Sequence, residues 1–311
     1  MLGRRVGDAA AATGDPAAPL RPLQRRLAAA DITVGNLEST LSRAGSPRQG
    51  DDSFAAPPSV LPGLADSGLD VLSLANNHTG DFGDLALLQT IRRVGRSPIE
   101  QVGAGRDLAA AWRPVVVRRH GVRFGFVAFN AIGETPRATG TAPGGASVRM
   151  PPRTGPLNAA DLRRAVRTVR GLKRDRADVV VVLPHWGDQY THVPVPAQRR
   201  VGRALVGAGA DVVVGGHPHW VQQVQRVRRG LAGRVGLVVH SLGNYVFDMD
   251  FMRQTQEGVI CDLVFAGDRL RRVRFTPYVI GSDFAPRPVR GPRARAIVRP
   301  LGVSRVVRLG G

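Results

Sequence analysis

The stretch Ala210–Trp220 reads A-D-V-V-V-G-G-H-P-H-W. His217 and His219 stand one residue apart, directly after a β-branched run and two glycines. Val212, Val213 and Val214 suit a short buried strand. Gly215 and Gly216 let the backbone turn closely, so two imidazoles can reach one point beyond the strand's end. Histidine is the commonest protein metal ligand, and a divalent metal is the first chemistry this spacing suggests. Taken alone, the pair reads equally well as loop histidines with no ligand. The layout recurs, however. D-I-T-V-G-N-L-E sets Glu38 beyond a strand, L-D-V-L-S-L-A-N-N-H sets Asn77 and His78, and A-D-V-V-V-V-L-P-H sets His185. One apolar strand ending in a ligand type is commonplace. Four in one chain, introduced by Asp31, Asp70, Asp178 and Asp211, are hard to assign to chance. The leading aspartates lie at the strand starts and read as structural.

The elements between these strand ends must hold them side by side. Helices are expected over residues 21–29, 59–68, 84–93, 159–176 and 196–209, from apolar spacing and glycine stops. His120-Gly121 and Gly267-Asp268 mark two-residue hairpins. Residues 42–58 and 133–158 read as loops, the second long enough to be functional. Residues 281–311 read as a Pro- and Arg-rich tail after a main domain of 1–280, with one short strand at Ala296–Val298. Helices alternating with strands, plus hairpins, predict an α/β fold with mixed sheets. Sites in such folds lie beyond the carboxyl ends of strands, where the four ligand-bearing segments end.

Composition limits the alternatives. A chain of 311 residues with 43% hydrophobic content can bury a sizeable core. The net charge of +20 invites a nucleic-acid reading. Of the 44 basic residues, however, only Lys173 is lysine, the arginines are scattered, and aromatics make up 5%. That pattern gives no stacking platform, so specific nucleic-acid binding is not expected. An acidic or phosphorylated substrate is, because a basic surface concentrates anions. The single cysteine, Cys261, allows no intrachain disulfide. No run approaches membrane-spanning length, and residues 1–30 contain no signal peptide.

The segments N-L-E-S-T-L-S, S-L-A-N-N-H-T-G-D-F-G, V-G-A-G-R, H-W-G-D-Q-Y, G-A-D-V-V-V-G-G-H-P-H-W and S-L-G-N-Y-V-F-D occur in this order. Together they resemble the CapA family of capsule or poly-γ-glutamate biosynthesis proteins, within the calcineurin-like metallophosphoesterase superfamily. The resemblance runs from Met1 to about Asp248. It implies a sandwich of two mixed sheets flanked by helices, a four-layer αββα arrangement, with two divalent metals between strand ends. It implies that Glu38 bridges the metals and that Asn77, His185 and His217 complete one site. His219 belongs to the other. His78 would be the unligated catalytic histidine, with Asp81 orienting it. Trp186, Tyr190 and Trp220 would shape the pocket. His120, His192 and His240 carry no implied role, and His240 stands where the family usually has tyrosine.

One departure matters. Family members open with a strand ending in Gly-Asp, followed by a Val-Met-Leu-Gly-Arg-like segment; this chain opens M-L-G-R-R-V. The resemblance therefore predicts that the first strand of the fold and its Asp ligand are missing, encoded in frame before Met1, with any signal or anchor. The second metal site is then impaired, keeping only Glu38 and His219, with Asp8 or Asp15 as substitutes. The implied function is a metal-dependent hydrolase in capsule or poly-γ-glutamate synthesis, acting on a phosphoester or an anionic polymer beside capsule-synthesis membrane proteins. Mn, Zn, Fe and Mg all suit the implied ligands. The alternative is a non-catalytic accessory component that holds the polymer in the same pocket.

Overall fold

The computed structural model of the chain describes residues 1–229 and 234–309. Its largest sheet has six strands, in the order Val224–Arg229, Arg234–Val239, Val212–Val214, Val179–His185, Val122–Asn130 and Val115–Arg119. The four inner strands are parallel, and an antiparallel strand closes each side. A smaller sheet pairs Thr33–Asn36, Leu69–Ser73 and Glu100–Val102 in parallel.

Alternation along the strands explains how these sheets stack. Successive side chains on a strand point to opposite faces. Val179 and Val181 turn inward to meet Val71 and Val102 of the smaller sheet and Ala75 just beyond it, with Phe126 and Ala128 beside them. Val180 and Val182 turn outward under the helices Ala159–Asp175 and Pro196–Ala208. On the far side, Leu72 and Leu74 pack against Val60, Leu64, Leu87 and Val94, from the helices Val60–Asp66 and Gly83–Val94. The result is helix, sheet, sheet, helix: the α/β sandwich expected.

The strand-leading aspartates fix the lateral alignment. Asp70 accepts the Thr33 N–H at 2.8 Å, Asp178 the Arg123 N–H at 2.8 Å, and Asp211 the Val180 N–H at 2.8 Å. Each thus satisfies an orphan donor at the start of a neighbouring strand. Their charges are balanced by Arg119, by Arg123, and by Lys173 with Arg229. The Arg123 guanidinium and N–H hold the Asp178 carboxyl down at about 2. Asp31 pairs instead with His120 in an exposed hairpin turn.

Three elements differ from the sequence expectation. Ala296–Val298 is not a strand but the end of a helix, Gly291–Val298. Pro292 fits its first turn, and Ala294, Ile297 and Val298 supply a buried helical face. Residues of the segment after 280 also complete a third sheet: Pro286–Pro288 and Val306–Arg308 both pair with Arg269–Ile280, itself the partner of Glu257–Ala266. Residues 310–311 lie outside the described residues. Near the start, Arg4–Ala12 is helical; Arg4 makes a two-nitrogen contact with the buried Asp248 carboxylate, at 3.1 Å each. Among the described residues, no helix is long and apolar enough to cross a membrane.

His240 lies fully buried at the end of strand Arg234–Val239, beside the Trp186 ring. Burial, aided by Arg199, lowers its pKa to about 3. The unfolded chain therefore binds a proton at His240 below about pH 6.5 that the folded chain refuses, so this contribution to stability falls as pH falls. Between pH 6.5 and 5 the parent should lose between about 1 and 2 kcal/mol more than His240→Phe, since the slope reaches about 1.36 kcal/mol per unit only below pH 6.5. Urea unfolding at the two pH values measures the difference; equal losses would contradict it.

Candidate metal centre

The five proposed ligands come from four strand ends, and the sheets bring them together. Glu38 follows strand Thr33–Asn36, Asn77 follows Leu69–Ser73, His185 ends Val179–His185, and His217 and His219 follow Val212–Val214. All five are buried. His185 Nε2 lies 2.8 Å from Asn77 Oδ1 and 3.6 Å from Glu38 Oε1. The His185 and His217 rings are 5.1 Å apart between centroids, and those of His217 and His219 5.8 Å.

The backbone that presents the two histidines is strained. His217 has φ +95° and His219 φ +59°, a region uncommon for residues with a side chain. Gly215 permits the turn, since a Cβ there would stand 2.2 Å from the His240 carbonyl oxygen and 2.3 Å from Trp186 Nε1. His219 is oriented further by Asn244, whose Oδ1 lies 2.8 Å from Nδ1, and by Tyr190 stacked on its ring. Asn244 itself donates to the Thr255 carbonyl at 2.9 Å.

Some of these polar atoms are satisfied and some are not. Glu38 Oε2 accepts from Asn36 Nδ2 at 2.9 Å. Glu38 Oε1 has no hydrogen-bond partner, the 3.6 Å to His185 being too long for one. Neither ring nitrogen of His217 has a partner. Burial holds His185 down at about 4, His217 far below its ordinary value and His219 below it, so all three stay neutral with lone pairs to give. Burial pushes the Glu38 carboxyl up, and the positive charge that His185, His219 and His78 carry only when protonated, with that of the chain N-terminus, draws it below its usual range. Among the described residues, no three or more His, Cys, Asp or Glu side chains already stand in a geometry that holds an ion.

His78 and Asp81 form a separate pair beside this group. His78 Nδ1 lies 2.8 Å from Asp81 Oδ2, and the ring stacks on Phe54 at 3.8 Å. Asp81 also accepts the Phe54 N–H at 2.7 Å and a Gln49 amide proton. Burial raises its pKa, against the pull of these hydrogen bonds. Asp15 is drawn elsewhere, into an ion pair with Arg21 at 2.6 Å, and Asp8 lies on the helix Arg4–Ala12. Trp186 sits wholly in the core with its indole N–H on the His240 carbonyl, whereas Trp220 packs on His192. His192 Nδ1 lies 2.7 Å from the Val221 carbonyl oxygen.

Sequence reasoning missed Glu134, whose Oε2 accepts from Asn77 Nδ2 at 2.6 Å, and Asn244. Asn244 stood inside the quoted S-L-G-N segment; Glu134 had no local signal beyond its place in a long Gly/Pro-rich loop.

Comparison with known proteins extends the geometry. Residues 1–249 match the family described as bacterial capsule synthesis protein PGA_cap. The chain is 31% identical over 208 residues to the capsule biosynthesis protein CapA of Bacillus anthracis, covering 67% of this chain and 47% of that one. It is 28% identical over 278 residues to the PGA biosynthesis protein CapA of Bacillus subtilis (88% and 68% covered). A Mycobacterium tuberculosis relative named "Probable polyglutamine synthesis accessory protein" is 30% identical over 206 residues (64% and 53% covered). The chain thus spans about half the length of the first and third of these relatives and about two thirds of the second. A crystal structure from Staphylococcus aureus described as a 5′-nucleotidase, in complex with alpha-ketoglutarate, superposes with a TM-score of 0.50 at 15% identity. It covers 92% of this chain and 52% of that one, and it bears on the fold alone. Because the matched residues run through all four strand ends that carry Glu38, Asn77, His185, His217 and His219, the chain belongs to the bacterial capsule synthesis protein family PGA_cap.

Proposed function

We propose that the chain is a metal-dependent hydrolase serving capsule or poly-γ-glutamate synthesis, with a phosphoester or an anionic polymer as substrate. One observation carries this reading: Glu38 Oε1 and both ring nitrogens of His217 are buried without partners among other ligand-type side chains. An unpaired buried polar group costs about 1–3 kcal/mol. A cation ligated at this place would satisfy Glu38 Oε1 and the lone-pair nitrogen of the His217 ring. Imidazoles, a carboxylate and an amide oxygen suit Mn, Zn, Fe or Mg. Glu38, Asn77, His185 and His217 would hold one ion, and Glu38 with His219 a second, less complete site.

When bound, such ions lower the pKa of a water and stabilise charge on the attacking and leaving oxygens. The chain's own residues supply the proton. Asp81 engages Nδ1 of His78, and Phe54 fixes the ring plane. The protonated, cationic ring can then give its Nε2 proton to the leaving oxygen and become neutral, keeping Nδ1–H on Asp81. The positive charge of the chain favours arrival of anionic substrates.

A second reading has its own support. A relative is named an accessory protein, and no described ligand cluster is already closed around an ion position. On that reading the pocket holds an anionic polymer without turnover.

Two variants separate these readings. In chelator-treated protein, His217→Leu should raise stability by about 1–3 kcal/mol, because it removes two orphaned polar atoms. Added Mn²⁺ should raise the melting temperature of the parent and leave the variant unmoved. A destabilised variant, or a parent indifferent to metal, would contradict the metal reading and favour the accessory one. His78→Asn should lower Mn²⁺-dependent hydrolysis of p-nitrophenyl phosphate by about 10²–10⁴-fold with metal content unchanged. Parent protein that binds poly-γ-glutamate but hydrolyses nothing, with or without metal, would support the accessory reading instead.

A further inference from the structure

We propose that Glu134 is a positioning residue that fixes which end of the Asn77 amide faces the candidate metal centre. The inference rests on the metal reading above. A carboxylate at neutral pH only accepts hydrogen bonds. Glu134 Oε2 stands 2.6 Å from the Asn77 amide nitrogen, so that end of the amide must be its NH₂. The oxygen is thereby turned the other way, to within 2.8 Å of His185 Nε2. Rotated by half a turn, the amide would set its oxygen against the carboxylate, and its NH₂ would face the ligand-type side. An amide nitrogen cannot ligate a cation, so the orientation decides whether Asn77 is a ligand at all.

The protein holds Glu134 where this contact requires it. Gly133 has φ +95° and Glu134 φ +63°, two left-handed residues in succession. That conformation is uncommon for glutamate, and such outliers cluster at functional sites. The turn is braced on both sides. Asn130 Nδ2 donates to the Gly133 carbonyl at 2.8 Å, and the Gly80 N–H donates to the buried Thr135 hydroxyl at 2.9 Å. Gly80 lies two residues after His78, and a Cβ on it would stand 2.8 Å from Pro136 Cδ and 3.0 Å from Thr135 Cα. The Asn77-His78 loop and the Glu134 loop are therefore docked face to face. Arg153 occupies the other carboxylate oxygen at 3.1 Å. That leaves Oε2 for Asn77, while the half-exposed ion pair itself adds little stability.

The test measures Mn²⁺ affinity by calorimetry on the full chain, with thermal melts to confirm folding. Glu134→Ala should weaken Mn²⁺ binding by about 10–100-fold, the usual effect of losing an outer-shell partner. Glu134→Gln keeps an acceptor for the Asn77 NH₂ and should restore most of the affinity. The deciding comparison uses Asn77→Asp, whose two equivalent oxygens need no orienting. In that background Glu134→Ala should cost nothing, or tighten binding by removing a like charge. Equal losses in both backgrounds would show a merely structural role and overturn the proposal. So would Glu134→Ala with unchanged affinity, or Glu134→Gln as damaging as Glu134→Ala. A parent that binds no Mn²⁺ would overturn the metal reading and this inference together, and that result is distinct from a parent that binds and a variant that binds equally.

Discussion

A polar group taken out of water must find a partner, and this demand governs both ends of the sandwich. At the start of the inner strands the partners are aspartates. Asp70, Asp178 and Asp211 each accept the first free N–H of an adjacent strand and are in turn neutralised by Arg or Lys. At the carboxyl ends the demand is met only in part. Asn77, His185, His219, His78 and Asp81 have partners, whereas Glu38 Oε1 and the His217 ring do not. These unmatched atoms, lying among ligand-type side chains, are the observation on which the metal reading rests. On that reading, the proposed occupant is a cation, whose chemistry fits both a lone carboxylate oxygen and neutral imidazoles.

The site and the core are the same construction. Val179 to Val182 face alternately the smaller sheet and the helices, so the strand has no freedom to slip by one residue without exposing its apolar side chains. Register fixed in this way delivers His185 next to Asn77, 108 residues earlier in the chain. The histidine turn depends on the same packing, since Gly215 fits between the His240 carbonyl and the Trp186 indole. Trp186 thus acts on the site from within the core, by limiting the path of the turn.

The sequence made the four strand ends legible because each carries its signal locally: Asp, an apolar run, then a ligand-type residue. The hairpins at His120-Gly121 and Gly267-Asp268 were legible for the same reason. What depended on distant partners was not. Strand Val224–Arg229 is rich in arginine and polar residues and takes its place by pairing along its whole length with Arg234–Val239. Residues Ala296–Val298 look like a strand until Ala294, Ile297 and Pro292 are seen as parts of one helix. Glu134 reaches Asn77 across 57 residues of chain, from a left-handed turn that no residue pattern announces.

The central claim is that the four strand ends form a centre for divalent cations. Its most direct measurement is anomalous diffraction at the manganese edge from crystals of the chain grown with Mn²⁺. The account predicts a strong peak bounded by Glu38, Asn77, His185 and His217, and a weaker or absent one beside His219. A map with no anomalous density among these residues, from crystals in which the same side chains are ordered, would contradict it.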